Sequence, residues 1–313
     1  MKKVKLYGNT LKEQLIASRR DRLFRYLLAD ETVRGVVLNA TRMVNEMRWN
    51  HGLGVLETLA LGHAYMGIAL MSSGLKGNDR IGLQIECSGP IKGLSVEANA
   101  YGEVRGYLKQ VPIPLTGPVE SFNLSPFFGA GFLSVTRFLE DAKQPFIGKV
   151  MLEYGTLAKD LAMYHLKSEQ IATAFTLSVK FDRDGEPLGA GGMMFQALPG
   201  ADDQLLAELE RRIGSLPSIG EAVNDPDFPQ QWVCEHFKEF EPRVLDQRGV
   251  EFMCHCSHKR IRHMLLMLKP EDLDEMAQNG PFPIQIRCHY CNTRYDFGER
   301  QMKEIAVERR SKL

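Results

Sequence analysis

With 313 residues, 39 Lys and Arg against 39 Asp and Glu, and 44% hydrophobic residues, the chain can bury a substantial core and no soluble fold class is excluded. The length suggests two domains, or one domain plus a module. The charge is uneven: residues 201–250 hold 5 basic and 11 acidic residues, about minus six, between two mildly basic stretches that this segment could contact electrostatically.

The opening MKKVKLYGNTLKEQL is positively charged but lacks the apolar run of a signal peptide, so a reducing cytoplasm with free thiols is expected. Residues 23–50, with apolar runs at Leu23–Leu28 and Val36–Leu38, predict a strand followed by a short helix. Leu53–Met71 is apolar enough to raise the question of a membrane span, yet Glu57, His63 and three glycines interrupt it. A charge at the centre of a spanning helix costs roughly 2.5–3.5 kcal/mol, and a core helix over about 53–72 with no membrane partner is the expectation.

Ile81, Leu83, Ile85 and Cys87 alternate with polar or small neighbours, as do Leu94, Val96, Ala98 and Ala100. With Ser88-Gly89-Pro90 between them they predict a hairpin with one buried face. The proline-rich run Val111–Pro126 has no assignable period. Strands are expected at 131–138 and 146–153, then a helix from Thr156 to about Lys167 with Leu157, Leu161 and Tyr164 on one side and the Thr156 hydroxyl as cap. Ile171, Thr173, Phe175, Leu177, Val179 and Phe181 form the clearest strand, and Asp182-Arg183-Asp184-Gly185 turns it back into Leu188–Leu198. Residues 1–200 therefore predict an α+β domain, a sheet with helices packed against it.

After Pro199-Gly200 the texture changes. Asp202 and Asp203 open an amphipathic helix with Leu205, Leu206, Leu209, Ile213 and Leu216 on one face, and Pro217, Pro226, Pro229 and Pro242 then break the chain. Residues 201–250 are expected to be a helical linker whose apolar face lies on something. From residue 251 to 313 a small module is expected. Ser257 caps a helix carrying Ile261, Met264, Leu265 and Leu268. Pro270, Glu271, Asp272 and Gly280 bound a second helix. The strands Pro283–Arg287 and Thr293–Phe297 make Cys288–Cys291 the turn of a hairpin.

Cys254 and Cys256 are answered, after 31 intervening residues, by Cys288 and Cys291. Two close pairs in a chain expected to be cytoplasmic indicate a zinc site and not a disulfide staple. Tetrahedral Zn–S bonds of about 2.3 Å place sulfurs about 3.8 Å apart, which suits both a two-residue gap in a turn and a one-residue gap in an extended chain. A module this small gains only about 3–5 kcal/mol from its core, against about 10–16 kcal/mol from structural zinc, so bound Zn2+ decides whether it folds.

Lys259, Arg260, Arg262, Arg287 and Arg294 would favour thiolate, the form that binds metal and reacts with oxidants. Spacing alone leaves a purely structural zinc site and an oxidation switch both open. His255, His258, His263 and His289 are read as solvated neighbours, and Cys87 and Cys234 as buried small side chains. Gly189-Ala190-Gly191-Gly192 leads into a strand and receives no phosphate. No P-loop, GxSxG elbow or HExxH is present, so no enzyme is expected. Nucleic-acid binding by the zinc module remains the alternative, against which four thiolates cancel its small positive charge.

Gly102–Tyr107, Tyr164–Ile171, Gly189–Met194, Val250–Ser257 and Cys288–Tyr295 occur in the order found in one family. On these, and above all on its CxC and CxxC motifs, the chain resembles the redox-regulated bacterial heat-shock protein of 33 kilodaltons, a holdase family, over nearly its whole length. The resemblance implies an inactive, reduced form with one zinc per chain on Cys254, Cys256, Cys288 and Cys291. It implies that peroxide or hypochlorous acid with unfolding stress joins Cys254 to Cys256 and Cys288 to Cys291, ejects zinc and destabilises the linker. Surfaces that hold unfolded client proteins are then exposed, often in a homodimer. The apolar stripe of the linker helix is accordingly expected to cover an apolar surface of the first domain.

Overall fold

The structure, a computed structural model, describes residues 1–3, 21–115, 117, 121–225 and 227–311. Most of the signal-peptide expectation, part of the 111–126 run and Pro226 lie outside the described residues. Contacts divide the chain into two compact units: Val4–Phe252, and Met1–Lys3 together with Met253–Leu313. The first holds two mainly antiparallel sheets and the second a two-stranded ribbon with helices, an α+β architecture.

In the larger unit β1 (Arg22–Leu28) turns directly into β2 (Val33–Asn39), and the helix α1 (Thr41–His51) begins only afterwards. Val36–Leu38 thus lies in a second strand, and the expected short helix follows it. The run carries no alternation because β2 is central in its sheet and buried on both faces. Asp21, just before β1, accepts hydrogen bonds from the first-turn amides of Arg42 (3.1 Å) and Met43 (2.6 Å), tying the start of α1 to the sheet.

The apolar run forms α2 (Val55–Met71), buried at every position from Leu56 to Met71 except His63. It is long and apolar enough to cross a membrane. Here it lies between the two sheets, against β2 on one side and β3 (Arg80–Cys87), β4 (Gly93–Asn99) and β5 (Glu103–Leu108) on the other. The β3–β4 hairpin sets Ile81 opposite Ala98, Leu83 opposite Val96 and Ile85 opposite Leu94, as the alternation requires.

A cis Val111–Pro112 bond and the one-turn helix Ser125–Phe128 lie in the stretch without period. Strands β6 (Gly131–Phe138) and β7 (Phe146–Met151) complete the second sheet, in the order β5-β4-β3-β6-β7 with one further short strand beside β5. Helix α3 (Leu157–Tyr164) buries Leu157, Leu161 and Tyr164, then widens into a π turn over His165–Glu169 that Gln170 closes at φ 58°. Thr156 does not cap it: the hydroxyl is buried without a hydrogen-bond partner, and its carbonyl receives the Asp160 amide instead. The hairpin of β8 (Thr173–Phe181) and β9 (Pro187–Ala197) ends the first sheet, ordered β1-β2-β9-β8 with one further strand beside β1.

Residues beyond 200 do more than link. Helix α4 (Asp203–Ser215), capped by the Asp202 carboxylate on the Leu205 amide at 2.8 Å, is followed by α5 (Gln230–His236) and then by β10 (Arg243–Gly249). β10 pairs antiparallel with β1 as the edge of the first sheet. At Val250 the chain changes sheets, because β11 (Glu251–Phe252) pairs parallel with β5. Gly102 permits the crossing: it sits at φ +82°, and a Cβ there would lie 2.1 Å from the Gly249 carbonyl oxygen.

The smaller unit contains α6 (His258–Leu265), α7 (Pro270–Asn279), the hairpin β12 (Ile284–Arg287) and β13 (Arg294–Phe297), and α8 (Glu299–Arg310). Ser257 accepts the Arg260 amide at 3.2 Å, and Gly280 ends α7 at φ 62°. Ile261, Leu265, Leu273, Phe297, Met302 and Ile305 make its core. Met264 and Leu268, expected beside Ile261, are exposed instead.

Candidate metal centre

Cys254 and Cys256 lie in the extended chain leading to α6, while Cys288 and Cys291 bracket the turn between β12 and β13. That turn is tightened by bonds from the Cys291 and Asn292 amides to the Cys288 carbonyl, at 3.3 and 2.7 Å, with Asn292 at φ 53°. All four sulfurs lie within 4.8 Å of one another. Across the pairs, Cys254 Sγ is 3.8 Å from Cys288 Sγ, and Cys256 Sγ is 3.3 Å from Cys291 Sγ. Sulfurs on one tetrahedral zinc are about 3.8 Å apart, so this donor set fits Zn2+.

The electrostatics favour a cation as well. Hydrogen bonds from Cys288 and Cys291 hold the Cys254 thiol far below its ordinary range. The same bond with Cys254 pushes Cys288 up to about 11, and bonds with Cys254 and Cys288 raise Cys291. One thiolate therefore uses its neighbours' protons, and further ionisation needs positive charge among the sulfurs. Soft thiolates of this number and geometry suit a thiophilic metal such as zinc or iron.

A shell of partners orients the sulfurs, and sequence reading did not assign it. Tyr295, buried on β13, donates its hydroxyl to Cys256 Sγ at 3.1 Å, and burial followed by this bond raises its pKa. Thr293 Oγ1 lies 3.2 Å from Cys291 Sγ and accepts the Lys2 amide at 3.2 Å. The Met1 amine donates to the Cys256 carbonyl at 2.6 Å. The signal for Tyr295 was its strand period: it shares a face with Phe297 and with Thr293 at the end of the cysteine turn.

Among the described residues, His255, His258, His263 and His289 do not join the sulfur cluster. His258 stacks on Phe297 at 4.3 Å. Of the basic neighbours, Arg262 pairs with Glu308 and Arg294 with Asp296 at 3.2 Å, which weakens both the thiolate-favouring field and any phosphate-binding patch. Cys234 corrects an expectation: it is exposed, because α5 turns Trp232 and Val233 inward and the next position outward. Cys87 is half-buried, ending β3 opposite Gly131, and burial raises its pKa.

The linker stripe is graded. Leu209 is 4% exposed, whereas Leu205, Ile213 and Leu216 are half-buried against the same core cluster. Leu206, also half-buried, faces Ala172–Ala174 and Ala197 at the β8 edge. The cluster joins one face of the first sheet, Phe24, Tyr26, Leu28, Val33, Val37, Met193 and Phe195, to a cover that sequence reading missed: Trp232, Val233, Phe237 and Phe240. Phe252, fully buried, lies against Tyr65 and His51, with ring centroids 6.1 and 6.2 Å away. Met253 alone separates it in sequence from Cys254.

The family model described as Hsp33 protein matches residues 21–298. A 33 kDa chaperonin of Syntrophotalea carbinolica is 35% identical over 288 residues, 91% of this chain and 99% of its own length. One from Lachnoclostridium phytofermentans is 33% identical over 287 residues, 91% and 98% of the two chains. The crystal structure of the 33 kDa chaperonin from Thermotoga maritima superposes with a TM-score of 0.84 at 29% identity, covering 94% of this chain and 100% of that one.

Proposed function

The chain belongs to the Hsp33 family, and from that premise we propose that it is a redox-regulated holdase chaperone that binds unfolding proteins and prevents their aggregation. The observation that carries the reading is a covalent one. The last buried residue of the sheet unit, Phe252, and the first sulfur of the candidate metal centre are two positions apart.

In the reduced state Cys254, Cys256, Cys288 and Cys291 would hold one Zn2+, which supplies the cross-link that folds residues 251–313. Oxidation by peroxide joins Cys254 to Cys256 and Cys288 to Cys291. Each bond takes two electrons from a pair of thiols, and one hydrogen peroxide accepts them and leaves as two waters. An S–S bond of about 2.05 Å leaves no pair of thiolates for a metal, so the ion departs and the small module loses its fold. The strain falls on Val250–Phe252, where the linker of residues 201–250 is pinned by β10 and β11. Releasing the linker exposes the apolar face around Phe24, Tyr26, Val37 and Phe195 to clients, with residues 1–200 as the client-binding domain. The oxidised protein is a homodimer, works in the cytoplasm and is not an enzyme.

The test is light scattering from a thermally unfolding protein, with the reduced zinc-loaded chain or the peroxide-treated chain added in equal amount. Suppression only after oxidation supports the reading. Equal suppression in both states, or none in either, would remove the switch.

A further inference from the structure

The chain passes between its two units twice, after Lys3 and after Phe252, because Met1–Lys3 belong with Met253–Leu313. Main-chain bonds hold these three residues to the segments that carry the sulfurs. The Met1 nitrogen donates to the Cys256 carbonyl at 2.6 Å, and the Lys2 amide donates to Thr293 Oγ1 at 3.2 Å. The Lys2 carbonyl lies 3.4 Å from the same hydroxyl, 291 positions away in sequence.

Thr293 is the junction. It is 5% exposed, its carbonyl accepts the Cys288 amide at 3.0 Å and so closes the cysteine turn, and its hydroxyl stands 3.2 Å from Cys291 Sγ. A threonine hydroxyl has one proton to give and two lone pairs with which to receive. While Cys291 is a thiol, its proton goes to Oγ1, and the hydroxyl proton is left for the Lys2 carbonyl. A metal ion displaces the thiol proton, and the sulfur then carries a charge that makes it the stronger acceptor for the hydroxyl. The Lys2 amide still donates to Oγ1 and polarises the hydroxyl towards the thiolate. Cys256, whose sulfur is 3.3 Å from that of Cys291, is held through its carbonyl by Met1 and at its sulfur by Tyr295.

We propose that Met1–Lys3 is a strap on the metal centre, in which the Lys2 peptide acts through the Thr293 hydroxyl to position Cys291 and steady its charge. The inference rests on the reading that the four cysteines hold Zn2+. Lys2 is a positioning residue by its peptide and not by its side chain, and the residue is exposed. Metal and strap hold each other: whatever factor the docked strap adds to zinc affinity, bound zinc adds to docking of the strap. Loss of the ion then frees residues 1–3, the second place where the chain passes between the units.

Chelator competition on the full reduced chain measures zinc affinity, and the sulfur-to-metal charge-transfer band of the Co2+-loaded chain reports on the thiolates, with mass spectrometry confirming Met1 in every sample. Lys2→Pro lacks the amide proton and Thr293→Val lacks the hydroxyl; each should weaken zinc about tenfold and move the cobalt band. The double variant should fall within about twofold of Thr293→Val, because both changes cut one path. Thr293→Ser keeps the hydroxyl and Lys2→Gln keeps the amide, and both should stay within about twofold of the unaltered chain. Unchanged affinity in Lys2→Pro, additive losses in the double variant, an unmoved cobalt band, or a loss in Lys2→Gln equal to that in Lys2→Pro would overturn the strap. Failure of the unaltered chain to take up zinc would remove the metal centre itself, whereas full affinity in every variant removes the strap alone.

Discussion

Phe237→Ala should make the reduced, zinc-loaded protein hold clients without any oxidant. Phe237 is 0% exposed and packs at a tilt against Phe195 of β9 with centroids 4.9 Å apart, so it fixes the cover of residues 201–240 to the face of the first sheet. Truncating a buried phenylalanine costs about 3–5 kcal/mol, which moves the covered state towards the open one by roughly 150- to 5,000-fold. Leu209→Ser removes one nearly buried leucine, about 2–3 kcal/mol. Ile213→Ser removes a half-buried side chain and is worth about 1 kcal/mol. The expected order of oxidant-free activity is therefore Phe237→Ala, then Leu209→Ser, then Ile213→Ser, with the Leu209 and Ile213 pair together near the lower end of the Phe237 range. Client aggregation is followed by light scattering, with zinc titrated in the same sample and circular dichroism checking that the α2 core stays folded. If Phe237→Ala stays folded, keeps its zinc and is silent until peroxide is added, the cover is not the lid and another surface controls access.

Single Cys→Ser changes at Cys254, Cys256, Cys288 or Cys291 should each lower zinc below one per chain; a variant with undiminished zinc removes that residue from the site. Tyr295→Phe, which deletes the hydroxyl on Cys256 Sγ, should weaken zinc about 10- to 100-fold in a chelator competition while the hairpin survives; unchanged affinity would leave the hydroxyl without a role. Generic DNA should show no tight association that falls steeply with salt, and a steep slope in a filter-binding titration would restore the nucleic-acid alternative. Burial raises the pKa of Asp21 to about 7 from an unfolded value near 3.8. The native state then holds the extra proton between these values, so stability falls as pH rises from about 4 to 7, by an amount on the order of 4 kcal/mol. Asp21→Asn should flatten that slope in urea titrations between pH 5 and 8, and an unchanged slope would locate the titration elsewhere.

Local chemistry was legible wherever a residue's role is decided by its neighbours in sequence. The cysteine spacing, the Ser257 cap, the Pro270 and Gly280 bounds of α7, and the alternation of β3, β4, β8 and β9 are of this kind, because capping and pleating act over a few residues. β10 was not legible: Arg243–Gly249 is polar and mostly exposed, and it is a strand only because β1 offers it an unpaired edge. β2 escaped alternation for the opposite reason, being covered on both faces.

The sequence by itself determined that four thiols would meet, that one apolar helix would be buried, and that an amphipathic helix would need a surface. The tertiary structure decided which surface that is and how firmly each residue grips it. Leu209 is buried and Ile213 only half so, and the most buried members of the cover are Val233 and Phe237, separated from that helix by a one-turn helix and three prolines. It also decided the exposure of Cys234 and the company of Arg34, whose hydrogen-bond partner Gln196 lies 162 residues away in sequence. Period and propensity act along the chain, whereas burial, pairing at an edge and the matching of a charge act between segments that only folding brings together.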